Sequence, residues 1–245
     1  PISLEQWLQG QPAPELRMYK YGLMKKGYDQ VIQALPESRS AQALLGQQMQ
    51  AYSWYKETGG HVTDYPDLIA ALSLQVSDDL CVMESSGEQR LIAASVCSPS
   101  YWNVKEKIGL SLSDIHRPVT SLQQKIGSQI QRFIAQAPLM TPFERSNWFV
   151  HGNRQRMHLA PEGNITGSPE QWFLRSERET LCRFHDDYLL FTINVRFAPL
   201  RDVVHDPAAR EDLTDSLSRF DADEIDYFGG DTTYQRLGEY LAGLR

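Results

Sequence analysis

The chain has 245 residues, of which 41% are hydrophobic and 22% are charged, and its formal net charge is −7 at pH 7. These values are typical of a globular protein with a sizeable core and exclude a disordered chain. The acidic balance argues against nucleic-acid binding, which needs concentrated Lys and Arg. No apolar run approaches the roughly 18 residues of a membrane span, and the first residues do not resemble a secretory signal. We therefore expect a soluble cytoplasmic protein with no nucleic-acid or membrane partner.

The N-terminal part, to about residue 78, is predicted to be helical. Apolar residues recur at three- and four-residue spacing in residues 37–57 and again, on one stripe, in residues 63–79. The pattern then changes to two short apolar runs at residues 80–85 and 90–98, separated by a turn at Ser86-Gly87. This change predicts an antiparallel hairpin.

The middle of the chain is predicted to be a loop with a short helical turn, followed by an amphipathic helix that begins at Ser121. The Gly- and Pro-rich segment 152–170 is typical of a mobile loop. The remaining elements are three strands and two helices, predicted at residues 146–152, 171–184, 188–200, 206–219 and 231–244.

Together these elements predict the α+β class, with an antiparallel sheet and flanking helices at both ends. We expect one domain over residues 1–245. Its parts are a helical N-terminal part (about 1–78), a sheet core (about 79–200) and C-terminal helices (about 201–245).

Several chemistries lose support because their residues are missing. Cys81, Cys97 and Cys182 lie in apolar stretches without C-x-x-C spacing, so they are expected to be small core residues. Iron–sulfur and cysteine-rich zinc sites are therefore not expected in this chain. The sequence also has no G-x-G-x-x-G, G-x-x-x-x-G-K-[ST], G-x-S-x-G or H-E-x-x-H motif.

Two of the six histidines stand out as candidate metal ligands. His116 precedes Arg117-Pro118, and the proline restricts the backbone, while His151 ends an aromatic run. Either is also compatible with a buried structural histidine. Two isolated histidines are too few for zinc, but one suffices for haem. The others are assigned to the surface, the mobile loop or turns: His61, His158, His185 and His205.

An ordered series of motifs resembles the haem-dependent oxidative N-demethylase family. The motifs are DLCVMES with RLIAASVCSPSYW, KIGLSLSDIHRPV, RSNWFVH, LRSERETLCRF with LLFTINVR, and FDADEIDYFGG. They extend from about residue 64 to 228, roughly two thirds of the chain. The resemblance implies a PAS-like domain that holds one haem b.

The resemblance further implies a monooxygenase that uses O2 to convert a small methylated amine, such as dimethylamine, to the demethylated amine and formaldehyde. Electrons would come from NAD(P)H through a reductase partner with flavin and an iron–sulfur, ferredoxin-type centre. The chain has no flavin or ferredoxin signature, so it resembles the form in which the haem protein is a separate subunit.

The matched motifs also imply site residues. His116 in IHRPV would ligate the iron, with His151 as the alternative. Arg175 and Arg178 would bind haem propionates, and Glu177 would hold an ammonium group or relay protons beside Arg175. In a regular strand Arg175 and Glu177 share one face and Arg178 the other. Cross-strand ion pairs on a solvated face remain the alternative for this charged group.

Aromatic residues are expected to line the pocket or, alternatively, to belong to the core. They are Trp148, Tyr101 and Trp102. Two other functions stay open: a haem-PAS sensor or ligand-binding module without turnover, and a cofactor-free structural subunit of a larger enzyme.

Overall fold

The computed structural model describes residues 1–55, 65–116, 129–160 and 163–244, and the side chain of His116 also lies outside the description. The helices are α1 (Leu4–Trp7), α2 (Pro14–Val31), α3 (Arg39–Gln50), α4 (Leu68–Ser73), α5 (Val104–Lys107), α6 (Leu112–His116), α7 (129–136), α8 (Leu200–Val204), α9 (Pro207–Leu217), α10 (Ala222–Phe228) and α11 (Gly230–Gly243). The strands are β1 (Ile32–Ala34), β2 (Asp79–Glu84), β3 (Leu91–Ser95), β4 (Phe143–His151), β5 (Phe173–Arg183) and β6 (Tyr188–Pro199).

Within the described residues, the six strands form one sheet in the order β1-β3-β2-β6-β5-β4. Strands β2 and β3 pair antiparallel as the predicted hairpin, with Cys81 opposite Ala94. Strand β2 also pairs antiparallel with β6, with Asp79 opposite Ile193. Strand β2 has a neighbouring strand on each side, and five of its six residues are buried. The α+β class with an antiparallel sheet and helices at both ends of the chain is confirmed.

The N-terminal part differs from the prediction by one strand. Helix α2 ends at Val31, and the next three residues pair antiparallel with β3, with Ile32 opposite Ser95. A three-residue strand is too short to show the two-residue periodicity by which strands are recognised. The predicted helix that begins at Ser121 lies partly outside the described residues, and its described part, 129–136, is helical.

The chain divides into two compact units. Unit 1 comprises Pro1–Pro99, Asn103–Arg145 and Arg178–Asn194, and unit 2 comprises Ser100–Trp102, Ser146–Glu177 and Val195–Arg245. Strands β4, β5 and β6 contribute residues to both units. The expectation of a single domain stays a prediction.

Unit 1 contains a fully buried lysine. The Lys20 ammonium donates hydrogen bonds to the carbonyl oxygens of Ser73, Val76 and Asp78 at 3.1, 3.2 and 2.6 Å. It lies 3.9 Å from a carboxylate oxygen of Asp79. A buried cation needs such partners because its desolvation is costly. The bonds tie α2 to the segment that enters β2.

Unit 2 has its own apolar core, to which β4 and the C-terminal helices contribute. Its buried members are Phe149, Val150, Ile165, Trp172, Leu200, Val204, Leu213, Leu217, Phe228, Leu237 and Leu241. Helix α10 ends at Phe228 and is followed by Gly229, whose φ of +122° is unfavourable for a residue with a side chain. This turn lets α11 follow directly on α10.

The three cysteines are free, buried thiols, as predicted. Burial raises the pKa of Cys97 to about 12 and that of Cys182 to about 12. Burial also raises the pKa of Cys81. No helix among the described residues has the length and apolar character needed to cross a membrane.

Candidate functional site

Two buried histidines in unit 2 are stacked on each other. The ring centroids of His151 and His158 lie 4.5 Å apart, and the ring planes are inclined by 18°. His151 is 1% exposed and His158 is 3% exposed. His158 Nε2 is 2.7 Å from the carbonyl oxygen of Gln155, and because a carbonyl only accepts, this nitrogen carries the proton.

Tyr101 packs against both histidines. Its ring centroid is 6.1 Å from that of His151 and 6.1 Å from that of His158. Its backbone N–H donates to the carbonyl oxygen of His158 at 2.7 Å. The rings of Phe149 and Tyr227 lie 6.3 and 5.7 Å from the Tyr101 ring, so Tyr101 joins the imidazole pair to a group of aromatic rings.

A buried carboxylate, that of Glu177, is hydrogen-bonded to Ser100, the residue that precedes Tyr101. Glu177 Oε1 accepts from the Ser100 hydroxyl at 2.5 Å and from Arg175 Nε at 3.0 Å. All three residues are buried, and Arg175 is 0% exposed. Glu177 Oε2 accepts no hydrogen bond from any residue that the structure describes. The Arg175 guanidinium thus compensates the charge of the Glu177 carboxylate at Oε1, and Oε2 remains able to accept a hydrogen bond.

The Arg175 guanidinium is held from two further directions. Its Nη1 donates to the carbonyl oxygen of Arg156 at 3.0 Å. Its central carbon lies 5.6 Å from the ring centroid of Phe197, and the Arg156 guanidinium lies at the same distance from that ring. Such contacts favour a fixed cation beside Glu177.

Arg178 has different partners, as the predicted strand alternation requires. It belongs to unit 1, where Nε donates to Glu144 at 2.6 Å and Nη1 donates to the carbonyl oxygen of Trp7 at 3.1 Å. Nη2 donates to the carbonyl oxygen of Gln6 at 2.5 Å. Arg178 thus forms a cross-strand ion pair with Glu144, whereas Arg175 and Glu177 are buried.

The aromatic candidates occupy different places. Tyr101 lies beside the histidine pair, and Trp102 is half-buried. Trp148 donates from Nε1 to the Ser216 hydroxyl at 3.0 Å and packs on Phe220 and Phe228. The structure thus places Trp148 against the core of unit 2.

The structure agrees with the predicted positions of some histidines and differs for others. His116 is the last residue of α6, and its side chain lies outside the described residues, as does all of His61. His185 is in the turn between β5 and β6, and His205 is exposed at the end of α8, both as predicted. His158, assigned to a mobile loop, is buried.

Sequence reasoning missed the roles of His158 and Ser100. The neighbours of His158, Met157 and Leu159, are apolar, and this was the one local sign of burial in a Gly- and Pro-rich segment. Nothing local marks Ser100, because its partner Glu177 is 77 residues away. Within the described residues, no group of three or more His, Cys, Asp or Glu side chains could hold a metal ion.

A comparison with known families finds a match over most of the chain. The model of a family described as "Haem-dependent oxidative N-demethylase, alpha subunit-like" matches residues 25–237. That range covers most of the chain and contains every candidate site residue. No curated protein matches the chain.

Proposed function

Since the chain belongs to the haem-dependent oxidative N-demethylase, alpha subunit-like family, we propose that it is the haem-binding catalytic subunit of an amine monooxygenase. The single observation that carries this proposal is the family match over residues 25–237. The proposed substrate is a small methylated amine such as dimethylamine. The products are the demethylated amine and formaldehyde.

The described side chains fit a haem by their donor chemistry. Haem iron takes a single protein imidazole, whereas a zinc site takes three or four ligands. Unit 2 offers buried imidazoles, those of His151 and His158, beside the Tyr101 ring. We propose haem b as the cofactor, because the family resemblance implies it and a single imidazole suffices to ligate its iron.

We propose His116 as the iron ligand, because it lies in the IHRPV motif on which the family resemblance depends. His151 is the alternative, supported by its burial and its aromatic neighbours. Arg175 and Arg178 are the proposed propionate-binding residues, since guanidinium groups form charge-assisted bonds with carboxylates. Trp148 is a proposed contact of the cofactor.

When bound, the haem supplies the oxidation of an N-methyl C–H bond with O2, two electrons and two protons, giving formaldehyde, the demethylated amine and water. The proposed part of Glu177 is to accept a hydrogen bond from the amine nitrogen, or to carry a proton, at its Oε2 atom. Arg175 supports this part, because its positive charge compensates a carboxylate that is 5% exposed. The burial of His151 and His158 keeps water from their imidazoles.

The oxidation of each amine molecule consumes two electrons. The proposed donor is an NAD(P)H-dependent reductase with flavin and an iron–sulfur, ferredoxin-type centre. We also propose a cytoplasmic location, supported by three free thiols, which are typical of reducing compartments.

Within the α+β class, we propose that the fold is that of a PAS-like domain. Its support is the strand order: β2, the first strand of the predicted sheet core, lies in the interior of the sheet beside the last strand, β6. The short strand β1 adds an edge next to β3.

Absorption spectroscopy and product analysis test the function. The purified chain supplemented with haem should show a Soret band, and with a reductase and dimethylamine it should release formaldehyde. Absence of the Soret band would contradict every haem-based function. A Soret band without formaldehyde, across a panel of methylated amines, would favour the sensor or ligand-binding module.

A further inference from the structure

Ser100 contacts the Glu177 carboxylate, and the next residue, Tyr101, contacts the His151–His158 pair. We propose that Ser100 and Tyr101 are positioning residues that couple the Glu177 carboxylate to the His151–His158 pair. Their part in amine oxidation rests on the function proposed above. The coupling itself is a property of the chain and is testable without haem.

The first connection runs through the Ser100 side chain. Its hydroxyl donates to Glu177 Oε1 at 2.5 Å, and Arg175 Nε donates to the same oxygen at 3.0 Å. Charge-assisted bonds of this kind are the strong ones, and all three groups are buried. Two donors on one oxygen fix the carboxylate plane and leave Oε2 as the remaining acceptor.

The second connection runs through one peptide plane. The carbonyl oxygen of Ser100 accepts from the Tyr227 hydroxyl at 3.2 Å, and the N–H of Tyr101 donates to the carbonyl oxygen of His158 at 2.7 Å. Both groups belong to the peptide unit that joins Ser100 to Tyr101, and this unit is planar and rigid. A shift of the Ser100 side chain is therefore transmitted to His158 through a single Cα atom.

The third connection is the Tyr101 ring. The backbone of Tyr101 is strained. Tyr101 has a φ of +64°, in the left-handed region that bulky side chains rarely adopt. Such a conformation persists only where the surroundings determine it, and it is concentrated at functional sites. Here it places the ring 6.1 Å from both His151 and His158. Glycine would take this backbone without strain but would lose the ring contacts.

The coupling is tested first in the full haem-free chain, by ¹⁵N resonances of the histidine rings. Ser100→Ala should shift the His158 resonance, and Ser100→Thr, which keeps a hydroxyl, should restore it. Thr233→Val is the matched control, because it removes another fully buried hydroxyl of unit 2 without changing the side chain's shape. An unshifted His158 in Ser100→Ala, or an equal shift in the control, would overturn the coupling.

A second pair of variants covers the case in which Ser100→Ala does not fold. Tyr101→Gly and Tyr101→Ala both remove the ring, but only glycine relieves the backbone strain. We expect both to shift the resonances of His151 and His158, with Tyr101→Gly the more stable variant. Unchanged resonances in a folded Tyr101→Gly would overturn the role of the ring.

Turnover by the haem-loaded chain with its reductase tests the part in the reaction. Misplacement of a catalytic group lowers turnover by up to about 100-fold, so we expect kcat of Ser100→Ala to fall by about 10- to 100-fold. KM should stay nearly unchanged, and Ser100→Thr should recover kcat. A fall in kcat that Ser100→Thr does not recover would overturn the positioning role. If the unaltered chain releases no formaldehyde, the proposed function fails, while the imidazole resonances still decide the coupling.

Discussion

The imidazoles of His151 and His158 are stacked at 4.5 Å with their planes inclined by 18°. His151 ends strand β4, and His158 lies in the segment that follows it. Six residues separate them along the chain, yet both rings are buried. The stack places two imidazole rings in unit 2, where β4 and β5 also contribute Phe149 and Glu177. The burial and stacking of His151 support it as the proposed alternative to His116 for the iron ligand.

Histidine variants decide the ligand. We expect His116→Ala to lose the Soret band of the haem-loaded chain, since an iron without its protein imidazole is held weakly. His185→Ala, in an exposed turn, is the control and should keep the band. If His151→Ala loses the band while His116→Ala keeps it, the assignment to His116 is wrong.

Removing the buried guanidinium beside Glu177 should destabilise the protein. Arg175→Met leaves the buried carboxylate without its compensating charge, which typically costs about 3–5 kcal/mol in the free energy of unfolding. The exposed pair Arg201–Asp202, 3.5 Å apart, offers the matched control, and Arg201→Met should cost less than about 1 kcal/mol. Urea unfolding of both variants measures the difference. Equal costs would contradict the buried pair's contribution.

Asp78 should make the stability of the protein depend on pH. Its burial raises the pKa of this carboxyl above the usual value, and the hydrogen bond from the N–H of Gln9 to its Oδ2, at 2.8 Å, only partly opposes this. Since the pKa is raised on folding, the stabilising contribution is full below the unfolded pKa of about 3.9 and is lost as pH rises through the folded pKa.

The corresponding variant is Asp78→Asn, which cannot ionise. Its free energy of unfolding, relative to that of the unaltered protein, should increase as pH rises from about 4. Urea unfolding at a series of pH values measures this difference. A difference that is constant across the series would show that Asp78 does not titrate with a raised pKa.

The three cysteines should resist alkylation in the folded protein. The thiolate is the nucleophile, and burial raises the pKa of Cys97 to about 12 and that of Cys182 to about 12. Burial raises the pKa of Cys81 as well. We expect mass spectrometry to find no iodoacetamide adduct at pH 8 without denaturant and three adducts in urea.

A control establishes that the reagent is active on the folded chain. Ser168 is exposed, so Ser168→Cys should be alkylated without denaturant. An adduct on Cys81, Cys97 or Cys182 under the same conditions would mean that this buried cysteine becomes accessible to solvent in the folded protein.

Local patterns in the sequence predicted most of the fold. The period change before residue 80 located the β2–β3 hairpin, and the apolar runs of the last third located β5 and β6. The short strand β1 was missed, because its three residues, beginning at Ile32, depend on pairing with β3 and not on a pattern of their own. Strand alternation correctly separated Arg175 and Glu177 from Arg178.

The candidate site was only partly predictable. His151 was selected because it ends an aromatic run, and Glu177 because it belongs to a charged strand motif. The burial of His158 was not predicted, since the glycines and prolines around it are typical of an exposed loop. Its ring is buried because it packs on Tyr101 and His151, and both contacts depend on the folded backbone.

By itself, the sequence determined the α+β class, the order of the main elements, the buried character of the cysteines and, through its motifs, the family. The class, the order of the elements and the burial of the cysteines follow from periodicity and composition, which relate residues only a few positions apart. The family follows from the resemblance of the motifs and the family match. Only the tertiary structure decided that Ser100, His158 and Glu177 meet. Ser100 and Glu177 are 77 positions apart, and the 2.5 Å bond between them exists because strand pairing and core packing, summed over the whole of the fold, bring their backbones together.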